Sequence, residues 1–122
     1  MGVRKLVAAF AVLLFVACAK KEVTRVPGGD ASRGKAAIEK YGCGSCHTIK
    51  GVRGADGLVG PPLDTMGSRV YIAGKLANTP KNMVYWIRHP QEVVPGNAMP
   101  DMNVTEQDAR DIAALLYTKT AK

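Results

Sequence analysis

Cys43-Gly44-Ser45-Cys46-His47 brings two thiols and an imidazole within five residues. Two cysteines separated by two residues and followed at once by histidine read as a c-type haem attachment site. Each thiol can form a thioether bond to one vinyl group, and the adjacent histidine is then placed beneath the iron as an axial ligand. The spacing is demanding, because two sulfurs must meet two fixed vinyl groups while the imidazole meets the metal. Zinc competes for the same side chains, but a structural zinc site takes four ligands. After the leader no other cysteine is present, and His89 is the only other histidine. A redox-active Cys-x-x-Cys pair is expected within alternating strands and helices, a pattern this chain does not show.

A haem has two axial positions, and His47 accounts for one. His89, Met66, Met83, Met99 and Met102 are the candidates for the other. Residues 89–104 hold Pro90, Pro95, Gly96 and Pro100, so the chain cannot run there as one continuous helix. A proline-stiffened loop holds a side chain with little entropy left to lose. His89 suits a helix C-terminus, and Met66 and Met83 suit the core, where methionine fills gaps.

The elements that must position these groups follow from caps and periodicity. Asp30 caps a helix over 31–41, in which Gly34 and Ile38 share a face and Gly34 allows another helix to cross closely. Residues 48–63, with Gly51, Gly54, Gly57 and Gly60, form a loop. A short helical stretch is expected near Ile72–Leu76. Thr79 and Pro80 start a helix over 80–88. Thr105 starts the last helix with Asp108 as a capping box, and Ala109, Ile112, Ala113 and Leu116 form its apolar face.

The ends of the chain are of a different character. Residues 1–18 join Arg4 and Lys5 to an apolar run from Leu6 to Ala17, too short for a comfortable membrane span and suited to a secretory signal. Leu14-Phe15-Val16-Ala17-Cys18 resembles a bacterial lipoprotein signal, in which cleavage leaves a lipidated Cys18; Phe15 stands where that signal prefers leucine. Cleavage by ordinary signal peptidase and an uncleaved anchor are the alternatives. Residues 19–29 end in Pro27-Gly28-Gly29 and read as a flexible tether. The domain is expected over 30–122. The whole chain carries 17 basic and 10 acidic residues, but residues 30–122 hold only 12 and 9 of them. A weakly basic domain without a clustered stripe is no nucleic-acid footprint. A domain of this size is marginal on its own core, so a buried haem is expected to be part of that core.

Gly60-Pro61-Pro62-Leu63 after the Cys-x-x-Cys-His motif resembles the Gly-Pro-x-Leu of class I cytochromes c. From Gly60 to Leu116 the chain is similar to the cytochrome c domain fused to subunit II of some bacterial haem–copper oxidases. The shared features are Gly67-Ser68-Arg69, Asn78-Thr79-Pro80, Trp86-Ile87-Arg88, Pro95-Gly96-Asn97 and Met99-Pro100. The resemblance implies an all-α class I cytochrome c fold with one covalent haem c on Cys43 and Cys46. It implies that the Pro61 carbonyl accepts the Nδ1 proton of His47 and that Met99 is the other axial ligand. It implies that Arg69, Tyr71 and Trp86 lie at the haem propionate edge, and that the first and last helices cross at Gly34 and Leu115. This chain departs from the family in having leucine at 115, where an aromatic is common.

The function this implies is a one-electron carrier, not an enzyme. It would be a monomer tethered through Cys18 to a membrane of the bacterial cell envelope, on the periplasmic or extracytoplasmic side. Its partners would be membrane oxidoreductases or a terminal oxidase of a respiratory chain. A haem-bearing, electron-accepting subunit of a dehydrogenase is the alternative. A peroxidase-type enzyme or a gas sensor would need an open iron position, and for the enzyme His89 is the only spare histidine.

Overall fold

The computed structural model describes residues 23–121. The expected leader, Cys18 and residues 19–22 of the expected tether lie outside the described residues. The elements are α1 (Ala31–Lys40), a hairpin of β1 (Tyr71–Ile72) and β2 (Leu76–Ala77), α2 (Pro80–Arg88), a short α3 (Pro90–Val93) and α4 (Glu106–Tyr117), with 3-10 turns at Cys43–Ser45 and Met66–Ser68. No helix among the described residues is long and apolar enough to cross a membrane.

Three helices begin where the sequence places a cap. The side chains of Asp30, Thr79 and Thr105 accept from the backbone N–H of Arg33, Asn82 and Asp108 respectively. Pro80 occupies the first turn of α2, where its missing N–H costs nothing. At α4 half of the expected capping box forms, with Thr105 Oγ1 accepting from the Asp108 N–H at 3.1 Å, while the Asp108 carboxylate turns to the end of α1. The Asp108 carboxylate accepts from Lys40 Nζ at 2.9 Å and Tyr41 Oη at 2.7 Å, while the Thr105 N–H points at Tyr41 Oη, 3.4 Å away.

Helices α1 and α4 cross in contact, and the crossing explains Gly34. A Cβ built there would lie 2.1 Å from the Asp111 carbonyl oxygen and 3.1 Å from Leu115 Cβ. Ala109, Ile112, Ala113 and Leu116 form the buried face of α4, together with Ile38, Met83 and Ile87 from α1 and α2. Tyr117 closes the core from below. Its hydroxyl donates to Asn78 Oδ1 at 2.8 Å, and burial pushes the phenol pKa up to about 12.

Asp111 is the charged group in this core, with 2% of its surface exposed. Its carboxylate accepts from the Asp30 N–H, from Arg33 Nε and Nη2, and from Gln107 Nε2. The Arg33 guanidinium holds the carboxyl below the usual aspartate range. A carboxyl depressed in the folded state contributes stability above its unfolded pKa of about 3.9, and that stability is lost as pH falls through the folded value. Asp111→Ala is therefore expected to cost about 2–3 kcal/mol at neutral pH. It should also flatten the loss of stability below about pH 4. Guanidinium denaturation of the holoprotein at a series of pH values measures both.

Two expectations are corrected. The stretch near Ile72–Leu76 is a hairpin, with Ile72 opposite Leu76 and Tyr71 opposite Ala77. Ala73 and Gly74 both have positive φ, at +50° and +66°, which makes the tight turn that matches strand twist and excludes a helix. Residues 26–29, expected as the end of a flexible tether, pack on α4. Val26 is buried, Arg110 Nη1 donates to the Pro27 carbonyl and Gln107 Nε2 to the Gly28 carbonyl. The Pro-Gly-Gly turn presents carbonyls that the polar side chains of α4 reach, so residues 26–29 are fastened to the fold.

Candidate functional site

The Cys-x-x-Cys-His stretch is a 3-10 turn that begins as soon as α1 ends. Its bonds run Ser45 N–H to Gly42 O, and Cys46 and His47 N–H to Cys43 O. The turn presents Cys43 and Cys46 as half-buried free thiols. Burial pushes the Cys43 thiol pKa up, so it is held neutral. Among the described residues no group of three or more His, Cys, Asp or Glu side chains stands close enough to hold a metal ion. The zinc alternative thus has no ligand set there.

The glycine-rich loop folds back on this turn. Gly57 N–H donates to Gly44 O at 3.0 Å, Gly60 N–H to Cys46 O at 2.7 Å, and Leu63 N–H to Thr48 O at 3.0 Å. This lacing lays Pro61 beside the histidine, with His47 Nδ1 2.8 Å from the Pro61 carbonyl oxygen. A carbonyl can only accept, so Nδ1 carries the proton and Nε2 keeps a lone pair for a metal. The same approach requires glycine at 60. A Cβ there would lie 2.3 Å from His47 Cε1 and 2.6 Å from Nδ1. Gly60→Ala is expected to displace the ring, to lower the unfolding free energy by about 2–3 kcal/mol, and to speed solvent exchange of the Nδ1 proton, followed by proton NMR of the holoprotein.

Arg69 lies one peptide further along. Its Nη2 donates to the Pro62 carbonyl at 2.6 Å and its Nε to Thr65 Oγ1 at 3.3 Å. Asn78 Nδ2 holds the Arg69 carbonyl at 2.8 Å and the Met66 carbonyl at 2.7 Å. Among the described residues two of the five guanidinium donors are used on the chain itself, which leaves three there for a carboxylate. Tyr71 stands 62% exposed on the hairpin, and Trp86 is half-buried on α2 against the core. The structure thus brings Arg69 to the Pro61–Pro62 segment and shows no bond between Arg69 and Tyr71 or Trp86.

Of the five candidates for the second axial position, Met66 and Met83 are core residues. His89 ends α2 and starts α3, with Nδ1 3.4 Å from Glu92 Oε1. Met102 is exposed. Met99 is half-buried in the loop after α3, and its backbone is held at both ends. Its N–H donates to Asn97 Oδ1 at 2.7 Å, and its carbonyl accepts from Gln91 Nε2 at 2.7 Å. Asn78 and Asn97 stand in the sequence motifs named above without a bonding role, and Gln91 stands in none of them. The available signal was the presence of three side-chain amides in or beside proline-rich turns, where backbone partners are scarce.

These residues fit a covalently held haem. Two half-buried thiols sit on one turn, an imidazole has Nδ1 committed and Nε2 free, and glycine leaves room beside the ring. The preceding residues, Leu58 and Val59, are 88% and 72% exposed and offer apolar surface next to that glycine. Cys43 and Cys46 would carry the thioether bonds and His47 one axial bond. A haem so held supplies reversible one-electron chemistry at its iron.

The sequence model of the Cytochrome c family matches residues 31–119. The chain is similar to cytochrome c oxidase subunit 2 of Bacillus subtilis (strain 168), 28% identical over 94 residues that cover 75% of this chain and 26% of that protein. Its similarity to cytochrome c oxidase subunit 2 of Bacillus sp. (strain PS3) is 37% over 83 residues, covering 66% and 22%. The chain spans about a quarter of the length of these relatives. Among solved structures, cytochrome c2 from Rhodobacter sphaeroides superposes with a TM-score of 0.56 at 22% identity, covering 77% of this chain and 98% of that one. Cytochrome c2 from Paracoccus denitrificans superposes with a TM-score of 0.55 at 20% identity, covering 75% and 97%.

Proposed function

From the premise that the chain belongs to the cytochrome c family, we propose a membrane-tethered electron carrier with His47 and Met99 as axial ligands, serving a respiratory chain. Membership of that family carries a covalent haem c, with Cys43 and Cys46 in the Cys-x-x-Cys position, and supports reading the protein as a mono-haem class I carrier of electrons rather than an enzyme. Met99 chiefly carries this reading: its amide is held by Asn97 of its own loop and its carbonyl by Gln91 of α3. A thioether opposite histidine raises the haem potential and fills the sixth position. A six-coordinate iron changes its geometry little on electron transfer and offers no site to oxygen or peroxide.

Arg69, with donors to spare, and Tyr71 and Trp86 are assigned to the propionate edge; a planar guanidinium matches a carboxylate. Cys18 is assigned a lipid, which places the domain outside the cytoplasmic membrane as a monomer on a tether of a few residues. Confinement at the membrane raises its effective concentration for membrane oxidoreductases. Similarity to two oxidase subunits favours a terminal oxidase as acceptor. The dehydrogenase subunit shares the same haem and differs only in its donor.

Two measurements test this reading. The ferric holoprotein should show the weak far-red absorption band of methionine–iron ligation, and the ferrous form should not bind carbon monoxide. A missing band together with carbon monoxide binding overturns the carrier. Intact mass of the membrane form should give one haem plus acyl chains on Cys18, and Cys18→Ser should release the protein to the soluble fraction. A mass beginning at Ala19 without lipid refutes the tether.

A further inference from the structure

Two amide side chains do in the Met99 loop what backbone pairing does elsewhere in this fold. Gln91 is on α3 and Asn97 in the loop. Gln91 Oε1 accepts from the Gly96 N–H at 3.0 Å, while Gln91 Nε2 donates to the carbonyls of Asn97 and Met99 at 2.9 and 2.7 Å. Asn97 Oδ1 accepts from the Met99 N–H at 2.7 Å, and Asn97 Nδ2 donates to the carbonyls of Pro90 and Val94 at 3.0 and 2.6 Å. All four amide N–H donors are used and both amide oxygens accept. Among the described residues, the backbone–backbone bond found within 95–104 is Asn97 N–H to Val94 O, 3.2 Å. The remainder of the loop's hold on α3 comes from these two side chains, with Gln91 N–H to Asp101 Oδ1 at 3.3 Å.

We propose that Gln91 and Asn97 are positioning residues that hold Met99 on the iron and set how readily the sixth position opens to another ligand. The inference rests on the reading of Met99 as that ligand. A methionine thioether is a neutral, weak donor, so its residence depends on the chain that presents it. The bonds hold the Met99 backbone, so any departure in which the loop swings away breaks bonds from both amides together. No electron moves in this exchange: one iron–sulfur bond is replaced by one bond to the incoming donor. The clasp therefore separates carrier from catalyst, because a loop that opens easily exposes iron to small ligands.

The test uses imidazole as the incoming donor and the full-length ferric holoprotein, with the far-red band as the readout. Gln91→Glu keeps the shape and the acceptor and loses both donors; Gln91→Met loses all three bonds. Each is expected to keep the band without imidazole, and to lose it at roughly 10-fold lower imidazole concentration than the parent protein. Asn97→Asp, which loses the donors to Pro90 and Val94, should move the same way. Gln107→Glu is the comparator. It loses hydrogen bonds to Gly28 and Asp111, outside the Gln91–Asn97 network, so it should lower stability and leave imidazole affinity unchanged. Unchanged imidazole affinity in the Gln91 and Asn97 variants, with the band present, overturns the proposal. An affinity change of the same size in Gln107→Glu also overturns it, because the effect is then general softening. A parent protein without the band refutes Met99 as the ligand, a different result from either.

Discussion

With Met99 as the proposed axial ligand, Met99→Ala is expected to remove the far-red band from the ferric protein, to let carbon monoxide bind the ferrous form, and to lower the midpoint potential on the order of 0.1–0.2 V, within the span of about 0.8 V over which axial ligands move haem potentials. The direction follows from the thioether, which favours the reduced iron; water or hydroxide in its place favours the oxidised one. The size is large because one bond is lost and the iron changes coordination as well. The fold is expected to survive, since Met99 is only half-buried and its loop is held through its backbone and two neighbouring amides. Difference spectra with carbon monoxide and a redox titration read the outcome. An unchanged band would hand the role to another residue, with Met102 next, three positions on. Met66 and Met83 are committed to the core.

Gly34→Ala is expected to destabilise the holoprotein by about 3 kcal/mol or more, and Gly34→Val by more again. Alanine is the better helix former by about 1 kcal/mol, so helix propensity predicts the opposite sign. Contact decides, because the new methyl would lie 2.1 Å from a backbone oxygen of α4, and a backbone cannot rotate away as a side chain can. The helices must separate. Separation stretches the Asp111 bonds to Asp30 and Arg33 and loosens the apolar face at Ala109, Ile112 and Ala113. The shift in guanidinium midpoint, read with the slope of the transition, measures it. A cost smaller than that of Asp111→Ala would mean that the crossing relaxes.

What the sequence shows and what it hides differ by a physical rule. α1, α2 and α4 are visible because each starts with a cap three residues before the N–H it binds, a local signal. The Cys-x-x-Cys-His turn is visible because bond geometry at a haem permits few spacings, whereas Gly60-Pro61 is visible only through the resemblance to class I cytochromes c. The hairpin at Tyr71–Ala77 is hidden, since its only mark is an Ala-Gly pair in the left-handed region, and apolar residues at 72 and 76 also suit a helix. Asp111 is hidden among small apolar neighbours, where a lone carboxylate reads as solvated; its partners Asp30 and Arg33 are at the far end of the chain. Gln91, Asn97 and Asn78 are hidden for the same reason. An amide side chain can bind almost anything, and only the folded chain says what it meets. The fastening of residues 26–29 depends on Gln107 and Arg110, distant in sequence.

The joint between α1 and α4 has a consequence for the order in which the protein is built. The bond from the Asp30 N–H to Asp111 spans 81 residues, and closing a loop of that length costs about 4 kcal/mol before any contact repays it. Among the described helices α1 emerges first during synthesis, and the cover of Gly34 arrives with α4. An emerging chain that stops short of Glu106 lacks the helix that crosses α1 there. Assembly must therefore wait for the far end of the chain, and a truncation in the last 15 or so residues should abolish folding rather than trim it. Because the thiols at Cys43 and Cys46 lie immediately after α1, they too are in the portion that is made early and enclosed late.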